Sequence, residues 1–230
     1  RVKSERRSKF SASVAPTMTK GATTTVRMIS VISVAASAGR PVRRSNATSS
    51  PLAFLPETFA SDLLMPRLAD LLADHEGLKL ELATAVNVAD LTRREADIAV
   101  RLVRPSAGNV VISRIGSMGV GLYAAPGYLA RRPPGLADGG RGHRVIGWDE
   151  KFHDLRAARW LSEQLPNASR VLSTTSAAAQ VAACESSVGI AALPHFLAGA
   201  RPGLVRVGEP EAHYAQDIWM VLHQDIAATA

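Results

Sequence analysis

ATAVNVADLTRREADIAVRL, residues 83–102, decides the architecture of this chain. Just before it, Leu78-Lys79-Leu80-Glu81-Leu82 alternates apolar and polar side chains, the pattern of a strand with one buried face. In its middle, Val88 and Leu91 lie three apart and Asp90 and Arg94 four apart, which predicts one short amphipathic helix. At its end, Ile98-Ala99-Val100 is a short apolar run stopped by Arg101, the mark of a buried strand. Strand, helix and strand within so few residues make a βαβ unit with parallel strands. In sheets of this kind small ligands collect at the carboxyl ends of the strands, which here are Thr84 and Arg101.

The chain has 230 residues, enough to bury a core as one large or two small lobes. Its single cysteine, Cys184, excludes an internal disulfide and a cysteine-based zinc site. The net charge of +7 is unevenly spread. Residues 1–50 hold ten Lys/Arg against one acid, Glu5, or +9; the other 17 Lys/Arg face 19 Asp/Glu, or −2. The globular part therefore has no basic balance of the kind that neutralises phosphates. Residues 1–48, basic and rich in Ser, Thr and Arg, read as a disordered segment. Within them Met28 to Gly39 has the outline of a secretory signal, but Ser30 and Ser33 break its apolar run, and a loose tail or strand is the preferred reading. No run reaches the about 18 apolar residues of a membrane-spanning helix.

From about Ser50 the pattern becomes regular. Leu52–Leu55 is a candidate strand bracketed by Pro51 and Pro56. Thr58 to Asp74 follows as a helix, with Leu64, Leu68, Leu71 and Leu72 on one stripe, a kink or late start at Pro66, and Gly77 as its C-cap. Val110–Ile115 and Val120–Ala125 read as two strands, and Pro126 opens a short helix to Leu129. Residues 131–143 are loop, dense in Arg, Pro and Gly. Strands are expected at Val145–Gly147, at Arg159–Leu161 on an edge, at Gly189–Pro194, at Leu204–Val207 and at Ile218–Leu222, with a helix from Ser176 to about Ser186. Strands alternating with helices mean α/β.

The segment DLTRREADIAVRL, with LLMPRLADLLADHEGLKLEL before it and VGLYAAPGYLA after it, resembles the effector-binding domain of LysR-type transcriptional regulators. The likeness runs from about Glu57 to Asp225 and holds order and spacing over several elements. It implies two Rossmann-like lobes in a periplasmic-binding-protein-like (type 2) arrangement, crossed twice by the chain. Residues 49–230 would form this domain, with lobe 1 about 49–115 and 190–230 and lobe 2 about 116–189. The two crossings form a hinge that can close on a ligand. The likeness also implies a small organic effector, plausibly a carboxylate, and a homodimer or higher homo-oligomer pairing the helix near 60–74 with that near 87–95. It implies a cytoplasmic protein, with neither cofactor nor metal. DNA contact is expected only through a helix-turn-helix that this chain does not show. The abrupt change of composition near residue 48 raises the hypothesis of a fragment or of a shifted reading frame ahead of it.

Six residues are candidate ligand contacts: Thr58, Thr84, Asn87, Arg101, Thr174 and Thr175. Thr58 opens the first long helix, and Ser173-Thr174-Thr175-Ser176 opens another, so hydroxyls and free N–H groups suit a carboxylate there; a plain N-cap is the competing reading. Thr84 and Asn87 sit at a strand-to-helix turn, where their side chains bond either a ligand or their own backbone. Arg101 is solvated, paired with an acid, or aimed at an anionic ligand. For Asp62, Asp97, Pro194 and His195 a structural role is preferred. Enzyme signals are poor: Gly119 to Ala124 matches G-x-G-x-x-A inside a strand pattern, His75-Glu76 lacks its second histidine, and G-x-S-x-G is absent. The six histidines show no metal spacing. The alternative to a regulator is an extracytoplasmic solute-binding protein of a transporter, which would use the same fold.

Overall fold

The structure, a computed structural model, describes residues 52–74, 79–84, 98–105, 110–136, 138–208 and 213–223. Among the described residues nine strands form one mixed sheet: β1 (Leu52–Leu55), β2 (Glu81–Thr84), β3 (Ile98–Arg101), β4 (Val110–Ala124), β5 (Arg144–Trp148), β6 (Ser169–Thr174), β7 (Ile190–Pro194), β8 (Val205–Val207) and β9 (His213–His223). Their order is β2-β1-β3-β9-β4-β7-β5-β6, with β8 also on β4. β2, β1 and β3 run parallel at one end, and β7, β5 and β6 run parallel at the other.

The two parallel groups are joined by one long antiparallel ribbon, β4 with β9. β3 lies against β9 from Trp219 to Leu222, and β7 lies against β4 from Val120 to Tyr123. Arg101 of β3 pairs with Trp219, and Pro194 of β7 pairs with Val120, so both groups aim their carboxyl ends at the middle of the ribbon. Near that middle the register shifts between Arg114 and Gly116, leaving Ile115 as an extra, buried residue that bends and twists the strand.

One core cluster holds the first half together: Ala53 and Leu55 of β1, Ile98 and Val100 of β3, Ile115, Ile218 and Met220 of the ribbon, and the helical residues Phe59, Leu63, Leu64 and Leu68. The second half is packed on both faces. Val120, Leu122, Val145, Leu161, Ile190 and Ala192 fill one side. Tyr123, Ile146, Val181, Ala191, Leu193 and Leu197 fill the other. Burial on both faces explains why Ile190-Ala191-Ala192-Leu193 is apolar without alternation.

Several expectations are corrected. The helix after β1 begins with a π-helical stretch, Phe59–Leu64, and continues as α1 (Met65–Asp74). The Met65 N–H bonds the Ala60 carbonyl five residues back, so the helix widens just ahead of Pro66, whose ring would collide with a tighter turn. Val110–Ile115 and Val120–Ala125 are one strand of 15 residues. After α2 (Pro126–Leu129), Arg159–Leu161 is helical, inside α3 (Arg156–Gln164), because Ala158, Leu161 and Leu165 are buried at helical spacing. β7 is preceded by α4 (Ala177–Glu185) and followed by α5 (His195–Gly199). It pairs with β5 and with the far end of β4, so it belongs with the second half rather than with the first from residue 190. The helix expected near 87–95, the Gly77 cap and the segment 1–48 lie outside the described residues.

His195 occupies a notch that two glycines make in β4. A side chain on Gly119 would overlap the imidazole, and one on Gly121 would come within 2.7 Å of His195 Cε1. His195 Nδ1 lies 2.7 Å from the Tyr123 hydroxyl. Burial, helped by the charges of Arg206 and His213, pushes the His195 pKa down from 6.5 to about 4. In the unfolded chain the ring takes a proton near its ordinary value, and in the folded chain only near 4. Between these values the unfolded state binds more protons, so stability falls as pH drops through that window. His195→Gln is expected to flatten this fall, read from urea midpoints at pH 7 and pH 5; equal slopes would exclude His195 as the site. Leu64, fully buried beneath β1, makes Leu64→Ala cost about 2–5 kcal/mol in urea unfolding.

Candidate ligand-binding cleft

Between the two halves lies a cavity of about 470 Å³, within the about 300–1,000 Å³ typical of small-molecule sites. Its wall on the first half is the carboxyl end of β1 with the turn that follows (Phe54 to Phe59) and the carboxyl end of β3 (Val100 to Arg104). The second half contributes Trp148 at the end of β5 and Phe152 after it, the start of α3, the turn Thr175-Ser176 with the first residue of α4, and the end of β7. Met118, Val120, Tyr214 and Gln216 of the ribbon close the back.

The sequence candidates separate clearly. Thr58, Arg101 and Thr175 line this cavity together. Thr58 is 6% exposed, and its side chain neither caps its helix nor bonds another described residue. Arg101 is half-buried, and burial lowers its pKa from the ordinary arginine value; it stays charged at any physiological pH. Thr175 is exposed at the cleft mouth. Thr174 does not line the cavity: its Oγ1 accepts the Ser176 N–H at 3.2 Å and so shapes the turn. Thr84 is exposed at the end of β2, the outermost strand, and is not among the lining residues, because β1 lies between β2 and β3. Asn87 lies outside the described residues. Pro194 lines the cleft and His195 does not.

Sequence reasoning missed several wall residues. Trp148 follows the strand 145–147, so the carboxyl-end rule would have found it. Tyr214 and Gln216 carried no such signal, since their polar alternation hid the first half of β9. Tyr214 is buried, its pKa pushed up to about 12 by that burial, with the Arg156 guanidinium 4.6 Å over its ring pulling the other way. Arg156 Nη1 also donates to the Ala215 carbonyl at 3.0 Å.

Contacts already join the two halves, the first of them at the cleft. Ser176 Oγ donates to Glu57 Oε2 at 3.5 Å. Arg201 pairs with Asp62 at 3.2 Å, and Phe59 meets Phe196 edge to face at 5.4 Å. Asp62, expected to serve a turn or a cap, instead holds Arg201 of the other half. Gln216 Nε2 donates to the Leu102 carbonyl at 2.7 Å, tying the ribbon to the segment after β3.

Comparison with known proteins bears on this geometry. The family model of the LysR substrate binding domain matches residues 54–230. The chain belongs to the LysR substrate-binding-domain family. Its two half-sheets about a cleft are the periplasmic-binding-protein-like (type 2) fold of that family. The regulatory domain of CrgA, a LysR-type transcriptional regulator from Neisseria meningitidis, superposes with a TM-score of 0.66 at 20% identity, over 79% of this chain and 92% of that one. The effector domain of the transcriptional regulator AmpR of Pseudomonas aeruginosa gives 0.61 at 19% identity, over 76% and 86%. In sequence, the Mau operon transcriptional activator of Paracoccus denitrificans is 44% identical over 62 residues, which are 27% of this chain and 22% of that protein. The chain is an effector-binding domain of the LysR type.

Among the described residues of this LysR-type domain, no group of three His, Cys, Asp or Glu is placed to hold a metal, and no helix is long and apolar enough to cross a membrane. Cys184 is buried; its Sγ donates to the Tyr123 carbonyl at 3.1 Å, and burial pushes its pKa up to about 12. Only the thiolate is a good nucleophile. The native domain is therefore expected to leave a disulfide reagent such as 5,5′-dithiobis(2-nitrobenzoate) unreacted at pH 8 and to consume one equivalent on unfolding; rapid native reaction would contradict the burial.

Proposed function

We propose that this chain is the sensing part of a cytoplasmic, DNA-binding LysR-type transcriptional regulator, and that it answers a small organic carboxylate bound in the cleft. The observation that supports this most is the meeting of Thr58, Arg101 and Thr175, from both halves, on one cavity. In this reading Thr58 and Thr175 contact the ligand from opposite walls, Arg101 supplies the counter-charge, and Thr174 holds the turn that presents Thr175. A ligand touching both walls binds the closed arrangement better than the open one. That difference is all the free energy available to move the regulator between states.

The output passes to paired subunits. Met65 and Leu72, seven apart on α1, are exposed large apolar side chains, which suits the helix for pairing with a second copy. DNA recognition would rest on a helix-turn-helix joined to this domain. The slight acid excess of residues 51–230 agrees with that division.

A thermal-shift screen of small organic acids tests the reading. An acid present at a hundredfold excess over its Kd raises stability by about 2.7 kcal/mol and Tm by about 5 to 10 °C. Arg101→Ala is expected to lose that shift. An unchanged response in Arg101→Ala removes Arg101 from the site, and a screen in which no acid acts overturns the reading.

A further inference from the structure

The slight acid excess of residues 51–230 is not evenly spread. Between Pro126 and Trp148 four arginines, Arg131, Arg132, Arg141 and Arg144, stand against a single acid, Asp138. This stretch leaves α2 and loops round to the amino end of β5. The cleft takes the carboxyl end of that strand at Trp148, so the arginines lie at the opposite pole of the second half. Tyr128 gathers them. Its hydroxyl accepts the Arg144 N–H at 2.6 Å, and the Arg132 guanidinium lies 5.3 Å from the centre of its ring. Arg132 Nη1 also donates to the carbonyl of Gly142, next to Arg141, at 3.3 Å. Arg131, Arg141 and Arg144 are exposed, and among the described residues none of the four pairs with a carboxylate. The loop that carries them is held in place. Gly139 and Gly140 take positive φ, and a β-carbon on Gly140 would come within 2.9 Å of Leu165 Cδ2. The Asn167 N–H donates to the Gly139 carbonyl at 2.8 Å, its Nδ2 to the Asp138 carbonyl at 2.9 Å, and the Ser169 N–H to the His143 carbonyl at 2.9 Å. The His143 ring, 3% exposed, donates from Nε2 to the Gly135 carbonyl at 3.1 Å.

We propose that this pole is a sequence-blind contact with duplex DNA, in which Arg131, Arg141 and Arg144 neutralise backbone phosphates. A guanidinium presents a planar fork of donors that matches a phosphate. A loop already fixed by its own hydrogen bonds offers these groups with little further loss of freedom. Among the described residues no large apolar side chain is exposed from 126 to 148, so the anchors that a protein partner would bury are missing here. Phosphate contacts position a duplex and carry no sequence information. The pole would therefore hold DNA against the sensing domain while operator choice stays with the helix-turn-helix. This contact uses nothing in the cleft and is separate from the effector reading.

Binding of the whole chain to a labelled duplex of about 20 base pairs and arbitrary sequence is measured by fluorescence anisotropy from about 50 to 300 mM KCl. Arg131→Ala, Arg141→Ala and Arg144→Ala together are expected to make the slope of log K against log[KCl] shallower by about 2 to 3, and to weaken binding roughly tenfold or more at the lowest salt. Arg→Lys at the same three positions keeps the charge and is expected to restore the slope. A second duplex of unrelated sequence is expected to show the same differences. The +9 of residues 1–50 supplies a background common to every variant, so the difference between variants reports the loop. The three side chains are exposed, and the variants are expected to keep the parent Tm. A slope in the Ala variant equal to that of the parent overturns the proposal, and so does a loss that Lys does not restore. If an oligoglutamate peptide binds the parent and not the Ala variant while the DNA slope is the same in both, the pole belongs to an acidic protein segment and the DNA contact falls. None of these results bears on the cleft, so the effector reading stands or falls by its own screen.

Discussion

The ladder between β4 and β9 is the constraint on which the rest depends. Eleven register pairs run from Val110–His223 to Gly121–His213, and no other strand pair touches both ends of the sheet. Each parallel group is docked on a different strand and a different stretch of this ribbon. Its antiparallel hydrogen bonds therefore set how the two halves face each other. Because β3 and β7 both point their carboxyl ends at the ribbon's middle, the loops after them converge there, and a cleft results from strand direction alone. The same rule that places ligands at the ends of parallel strands acts twice, from opposite sides.

Convergence gives the site its chemistry. The first half brings a buried hydroxyl and a guanidinium, and the second brings a helix start and an aromatic wall. Each half supplies only part of the cavity wall. Among the described residues the polar and ring contacts that bridge them include a long hydrogen bond, one half-exposed ion pair and one ring contact. Bonds of this kind contribute little individually in water. A ligand filling the apolar hollow therefore adds burial on a scale that these bridges do not supply.

Much of this was legible in the sequence, and the failures have physical causes. The βαβ pattern around residues 83–102 predicts parallel strands, and β2 and β3 are parallel, each beside β1. Pattern does not say which strand lies between two others, and so Thr84 was placed at a cleft that β1 and β3 border without β2. Arg159-Trp160-Leu161 is too short a run to separate strand from helix; the deciding burial at Leu165 lies beyond it. Gly116 and Ser117 looked like a break between two strands, yet a glycine and a small polar side chain are tolerated in a ribbon that is paired on through the bulge. Thr58, Arg101 and Thr175 line the cavity, and strand and helix ends such as theirs can be read locally. Trp148, Phe152 and Tyr214 meet only through the fold, and no local pattern announces that.

Ile115 carries one last consequence. As the unpaired residue in β4 it offsets the two ends of the strand by one position. Side chains alternate sides along a strand, so a slip of one position in the pairing beyond Gly116 would turn Val120 and Leu122 away from the cluster they fill and bring Tyr123 round in their place. Losing Ile115 alone would not do this: Arg114 and Gly116 would stay opposite Trp219 and Ile218, the ladder would run on unbroken, and only the bend at the bulge would go. That one position therefore shapes the ribbon without setting which side chains face inward beyond it.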